Sequence, residues 1–270
     1  MIRLVLFDMD GTLADTLPLC VEAFGRATEQ LTGRRPTETE ITDTFGPDET
    51  GTMAVLTPGR KEEGVALYHA FCEQLHPVLC PAPFEGIREA IDALRRKHIR
   101  VALVTGKGRR AMEISLRALG LCGVFDRTEA GSPTGNDKPA CIARTLDAFG
   151  IRADEAIYVG DTASDIRSAH AADLPILSAA WAPGTDAEAL KAAAPEYLCT
   201  TTAQFLDWIG ALPDARSRRH NGAITGQRRH FGRLCLFFAF SGIYRAISRA
   251  EFRCGASKIW TNANKNGIIV

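Results

Sequence analysis

An α/β protein, with a parallel sheet covered by helices and a helical segment interrupting it after the first strand, is what this 270-residue sequence predicts. Three observations lead there. From residue 84 onward, short apolar runs alternate with amphipathic stretches. Residues 16–80 break that rhythm, hold no strand-like run and read as helix throughout. The apolar runs that flank this segment end in Asp, Thr and Gly, which are turn formers and polar ligands.

Each element follows from its own pattern. Ile2-Arg3-Leu4-Val5-Leu6-Phe7 reads as a strand from the N-terminus. Helices are expected at 16–31 and 60–76, around a Thr/Glu-rich middle, and the chain returns near Pro81-Ala82-Pro83. A helix over 84–98 places Ile87, Ile91 and Leu94 on one stripe, and a strand over 99–104 follows. A helix over 109–119 carries Met112, Leu116 and Leu119, with Gly120 as a C-terminal cap. The arrangement recurs over 139–149, where Ile142, Leu146 and Phe149 precede Gly150. Strands over 156–160 and 174–178 flank a short helix near 165–172, and a helix over 202–211 closes the series. Alternating strands and helices imply a parallel, Rossmann-like sheet that binds ligands beyond its strand C-termini. The expected organisation is a core of residues 1–15 and 81–213, a helical cap over 16–80, and a basic tail over 214–270.

Composition narrows the class. Apolar residues make up 46% and charged residues 24%, ordinary values for a globular protein. The net charge of zero hides a division: residues 1–213 hold 21 Lys/Arg against 30 Asp/Glu, and residues 214–270 hold 11 against Asp214 and Glu251. An acidic core gives no reason to expect a nucleic-acid partner for it. The eight cysteines are scattered without a CxxC pair, and no signal-peptide pattern is present, so reduced thiols and a cytoplasmic location are expected. The apolar stretch Leu234 to Ile247 is too short for a membrane span and holds Arg245.

The chemistry sits where the strands end. The first runs into Asp8-Met9-Asp10-Gly11-Thr12, the second into Thr105-Gly106, and a later one into Gly160-Asp161-Thr162-Ala163-Ser164-Asp165. In a parallel sheet these ends share one edge, so four carboxylates converge. Any one Asp reads equally well as a helix cap or turn former. Four together repel unless a cation or proton offsets them. A hard divalent ion with oxygen ligands, Mg²⁺, satisfies that demand, and Gly11 permits a sharp turn whose amides could face a phosphate oxygen.

This set, together with Lys138-Pro139, resembles the haloacid dehalogenase-like hydrolase superfamily, and within it the phosphoglycolate phosphatase-like group with a helical cap. The resemblance covers roughly residues 1–210, and four motifs in order at strand ends or helix starts make it specific. It implies that Asp8 is the nucleophile forming an aspartyl-phosphate and that Asp10 is the general acid and then base. It implies that Thr105 binds a phosphoryl oxygen, with Gly11, Thr12 and Gly106 beside the substrate, and that Lys138 offsets charge on Asp8 and the phosphoryl group. Asp8, the Asp10 carbonyl and Asp161 resemble magnesium ligands, and Asp165 a partner that orients the ion. True dehalogenases lack an acid two residues after the nucleophile, so Asp10 favours phosphoester chemistry. The family's usual Lys-Pro-x-Pro is here Lys138-Pro139-Ala140-Cys141, which lacks the second proline. Asp137 reads as a helix cap.

The motifs handle phosphate, so the cap selects the substrate. Phe45-Gly46-Pro47 resembles a loop that faces the site in relatives, and Arg34, Arg35, Arg60 and Lys61 are either ligands for a substrate carboxylate or a solvated face. Phosphoglycolate, another small phosphorylated metabolite and pyrophosphate all stay open. A sugar-phosphate mutase using the same intermediate is the neighbouring alternative. A catalytically silent binding protein with a basic interaction tail is the alternative from another class. For the tail three readings compete: an arm for nucleic acid or an acidic surface, an amphipathic anchor, or a poorly ordered segment with no evolved role. The last is preferred, because Gly, Asn and Ser abound and the apolar residues show no helical period.

Overall fold

The computed structural model describes residues 1–215, so the reading of the basic tail beyond them lies outside the described residues. Six strands, β1 (Leu4–Phe7), β2 (Arg100–Val104), β3 (Arg127–Glu129), β4 (Ala156–Gly160), β5 (Ile176–Ala179) and β6 (Tyr197–Cys199), form one sheet. All pairings are parallel, in the order β3-β2-β1-β4-β5-β6. The strand order reverses at β1, with β2 on one side and β4 on the other, so the ligand crevice of such a sheet falls above β1.

Why these runs pair is visible in their two-residue period. Val5 and Phe7 face one side, packing with Ile87, Ile91 and Leu94 of α5 (Ile87–Arg96) and with Phe205 and Ile209 of the helix Thr202–Ala211. Leu4 and Leu6 face the other side, against Cys141 and Ile142 of α7 (Lys138–Phe149) and Ile166 and Ala169 of α8 (Ala163–Ala171). Burying one such side chain contributes about 1.5–3 kcal/mol, so two filled faces hold the sheet more strongly than any surface pair. Central strands buried on both faces need unbroken apolar runs, which β1, β2 and β4 have.

Between β1 and β2 the chain makes α1 (Leu17–Thr32), α2 (Glu38–Thr42), α3 (Glu49–Leu56) and α4 (Lys61–Leu79) before α5. These helices build a core of their own from Leu19, Phe24, Ile41, Met53 and Tyr68. Ala111 and Ile114 of α6 (Arg109–Ala118) complete it. The segment leaves and rejoins the sheet at one place, where the Phe84 amide donates to the Leu13 carbonyl at 2.9 Å. The helix expected from residue 84 begins only at Ile87, because Gly86 takes a left-handed conformation, φ 85°, and bends the chain before it.

Tyr158 locks the C-terminal edge of the sheet. Its side chain is fully buried, and its hydroxyl reaches from β4 past β1 to donate to the Val104 carbonyl of β2 at 2.8 Å. The three strand ends are thereby fixed to one another. Tyr158→Phe leaves that carbonyl without its donor and is expected to lower unfolding free energy by about 1–2 kcal/mol, measured by urea denaturation.

Candidate functional site

Asp8 follows β1 directly, Thr105 follows β2 and Asp161 follows β4. The sheet holds them in place: the Asp8 amide donates to Val159 O at 2.8 Å, and the Thr105 amide to Glu129 O at 3.1 Å. Carboxylate oxygens of Asp8, Asp161 and Asp165 lie within 4.8 Å of one another. Asp165 is fully buried in the first turn of α8, where it also serves the helix. Its Oδ2 accepts from the Thr162 amide and hydroxyl, while Thr162 Oγ1 accepts from the Asp165 amide, a capping box that fixes both residues.

Lys138 supplies the compensating charge inside this group. Its Nζ lies 2.7 Å from Asp8 Oδ2 and 2.5 Å from Asp165 Oδ1. Burial pushes its pKa down, but Asp165 and Asp8 outweigh burial and hold the ammonium well above its ordinary value. One lysine does not neutralise three acids. Burial, with the charges of Asp165 and Asp10 against the relief from Lys138, raises Asp8 to about 7. Burial and the Asp8 and Asp165 charges raise Asp161 to about 8. Asp8 Oδ1 is buried and has no hydrogen-bond partner. An unpartnered buried carboxylate oxygen beside two further acids fits a hard divalent cation, because oxygen donors of net negative charge suit Mg²⁺.

The Gly11 turn shapes the pocket instead of lending free amides. Gly11 has φ +69°, and a Cβ there would collide with Asp161 Oδ2, so glycine lets the Asp161 carboxylate lie against the turn. The expectation that the turn's amides face a phosphate needs correction for Gly11 and Thr12. The Gly11 amide donates to Ala14 O at 2.9 Å and the Thr12 amide to Met9 O at 3.3 Å, so the turn consumes both. Thr12 instead donates its hydroxyl to Asp161 Oδ1 at 3.0 Å and orients that carboxylate. Thr105 is buried, with its Oγ1 accepting from the Lys107 amide at 3.2 Å. A Cβ on Gly106 would meet nothing within 4 Å, so the backbone there is approachable.

Asp10 stands apart from the carboxylate group. Its Oδ1 accepts from the Thr16 hydroxyl and pairs with Lys107 Nζ at 2.9 Å. Lys107 is buried, and its Nζ also donates to Cys20 Sγ of α1 at 3.0 Å. Neither Lys107 nor Thr16 was expected at the site. The signal for Lys107 is its place two residues after Thr105, at a strand end. Glu49 was missed too. Its Oε2 accepts from the Gly108 amide at 2.7 Å, capping α6, and its Oε1 lies 2.9 Å from His69 Nε2.

One expectation outside the centre changes. Asp137 makes no side-chain cap to α7; Asn136 Oδ1 takes the Lys138 amide instead, at 3.0 Å. The cationic residues of the insertion are engaged at its surface: Arg34 pairs with Glu40, Arg35 with Glu22 and Glu29, Arg60 with Glu63, and Lys61 with Glu62. Such exposed pairs are solvated ornament energetically, each worth about 0–1 kcal/mol. Among the described residues the six cysteines are free thiols, and no helix is long and apolar enough to cross a membrane.

Known proteins resemble the chain over most of its described length. A pyrophosphatase PpaX from Halalkalibacterium halodurans is 29% identical over 211 residues, covering 77% of this chain and 97% of that protein. A phosphoglycolate phosphatase from Aquifex aeolicus is 28% identical over 182 residues, covering 66% of this chain and 85% of its own. A solved structure from Thermotoga maritima, provisionally assigned as a β-phosphoglucomutase, superposes with a TM-score of 0.61 at 26% identity, covering 77% of this chain and 99% of that one. The model of the haloacid dehalogenase-like hydrolases matches residues 5–179, and the chain belongs to that family.

Proposed function

We propose that the protein is a Mg²⁺-dependent phosphatase that hydrolyses a small phosphomonoester, phosphoglycolate-like, through an aspartyl-phosphate on Asp8. The observation that carries this reading is Asp8 itself. One oxygen is held by Lys138 and the other is buried without a partner, at the point where three parallel strands end. The names of relatives, pyrophosphatase and phosphoglycolate phosphatase, support phosphate chemistry and make pyrophosphate the competing substrate.

The residues divide the work. Asp8 attacks phosphorus while Lys138, an ammonium 2.7 Å away, steadies the charge that passes to the phosphoryl oxygens. Thr105 donates to one of those oxygens. Asp10 gives its proton to the leaving oxygen as the ester P–O bond breaks, then takes a proton from the water that cleaves the aspartyl-phosphate. Asp8, the Asp10 carbonyl and Asp161 would hold Mg²⁺, with Asp165 steadying Lys138. The ion, when bound, supplies positive charge that draws phosphate and carboxylate together. Residues 16–80 act as the cap: Cys20 covers Lys107, and Glu49 reaches the Gly108 amide, so the insertion touches the loop that carries Thr105. The nucleophile Asp8, the lysine Lys138 and the acids Asp10 and Asp161 are all present, and this favours an enzyme over a silent binding protein.

Asp8→Asn is expected to abolish phosphate release from p-nitrophenyl phosphate while the protein melts cooperatively. Asp10→Asn should slow turnover of an alkyl phosphate by about 10²–10⁴-fold. A panel containing phosphoglycolate, pyrophosphate and glucose 1-phosphate, scored for inorganic phosphate and for bisphosphate products, separates hydrolysis from mutase transfer.

Melting without metal gives an independent check. Asp8 and Asp161 titrate at about 7 and about 8 when folded, against 3.8 ordinarily. Between those values the folded protein holds more protons than the unfolded chain, so its stability falls as pH rises. In EDTA, Tm is expected to drop from pH 6.5 to pH 8, and Asp161→Asn should flatten the slope. Mg²⁺ should raise Tm more at pH 8 than at pH 6.5, because it binds the ionised acids.

A further inference from the structure

Lys107 is a buried cation that the catalytic scheme above leaves without a task. Resting on that scheme, we propose that Lys107 is a positioning residue that aims Asp10 at the leaving group. Its ammonium has one carboxylate partner among the described residues, Asp10 Oδ1 at 2.9 Å, and its other polar contact is Cys20 Sγ at 3.0 Å. A buried lysine is retained where a partner holds it, so this pair is built into the site. The Thr16 hydroxyl donates to the same Oδ1. A hydroxyl donor and a buried ammonium charge therefore hold one oxygen of Asp10, while Oδ2 carries no hydrogen bond among the described residues.

That asymmetry has a chemical use. Proton transfer needs the acid's oxygen within hydrogen-bond reach of the leaving oxygen, in one orientation. Pinning Oδ1 leaves Oδ2 as the oxygen that gives and takes the proton. The loop that bears Lys107 also bears Thr105, whose hydroxyl accepts from the Lys107 amide at 3.2 Å. The group that holds the phosphoryl oxygen and the group that orients the acid are thus two residues apart on one short loop. Lys138 serves the nucleophile and Lys107 the acid, so each cation governs one side of the bond that breaks. Cys20 belongs to α1, and Tyr68 of α4 donates to its sulfur at 3.7 Å, so helices of the insertion wall Lys107 away from solvent.

The test uses leaving groups of different basicity. p-Nitrophenolate departs with little help from an acid, whereas the alkoxide of 2-glycerol phosphate needs its proton. In Lys107→Met, kcat for 2-glycerol phosphate should fall at least about tenfold more than kcat for p-nitrophenyl phosphate. Adding Lys107→Met to Asp10→Asn should cost little beyond Asp10→Asn alone, since both act through one proton. Equal losses on the two substrates would mean that Lys107 only supports the fold. A rise in KM with kcat intact would make it a substrate contact, and full additivity with Asp10→Asn would separate it from the acid; each result overturns the proposal. Should Lys107→Met not melt cooperatively, Lys107→Gln carries the same comparison. A wild-type protein that releases phosphate from neither substrate sinks the phosphatase reading itself, a failure distinct from a working enzyme whose Lys107 variants lose both activities alike.

Discussion

Repulsion among carboxylates brought together without enough counter-charge is the constraint around which the molecule is organised. Asp8, Asp161 and Asp165 are drawn to within 4.8 Å by strands that pair for reasons unrelated to chemistry, namely the filling of two apolar faces. The fold supplies one compensating cation, Lys138, from the start of α7. A helix N-terminus is an unfavourable place for an ammonium, so that lysine is held there by its acids. The remaining imbalance shows as protons retained on Asp8 and Asp161 to unusually high pH. A scaffold built only for stability would avoid this arrangement, and acids perturbed in this way cluster at functional sites.

The rigidity of the edge makes the arrangement possible. Tyr158 ties the ends of β4 and β2 together, and the capping box at Thr162 and Asp165 fixes the first turn of α8. Gly11 allows Asp161 to lie against the turn that follows Asp8. None of these residues touches a substrate in the scheme proposed, yet each sets the position of one that does. Asp10, the acid of that scheme, is held by different neighbours, Thr16 and Lys107, one at the threshold of the insertion and one buried beneath it.

Much of this was legible in the sequence. β1, β2 and β4 are buried on both faces, so their apolar runs are long and end abruptly in polar residues. The family motifs sit at those ends, and the order of the elements follows. The edge strands were not legible. β3 is Arg-Thr-Glu and β6 is Tyr-Leu-Cys, three residues each, and neither repeats an apolar pattern long enough to show. The short helices α2 and α3 hide in a Thr/Glu-rich stretch where caps, not periodicity, mark the boundaries: Thr37 and Asp48 accept from the amides that open them. Within the site, Asp8, Asp161 and Lys138 announce themselves through motifs. Lys107 and Glu49 do not, because their partners Asp10, Gly108 and His69 are distant in the chain and local spacing carries no trace of them. The turn at Gly11 misled for a related reason, since its amides are spent within the turn itself.

The junction at Leu13 and Phe84 carries a consequence for how such a protein diversifies. Because departure and return lie a single hydrogen bond apart, the intervening helices hang from the sheet like a cassette, and their length can change without disturbing a strand. Yet the cassette is not detachable at no loss. Glu49 closes the open end of α6, a helix of the sheet domain, so any replacement inherits the obligation to furnish an acceptor for the Gly108 amide. Change within the insertion is therefore tethered to a duty toward the helix that packs against it.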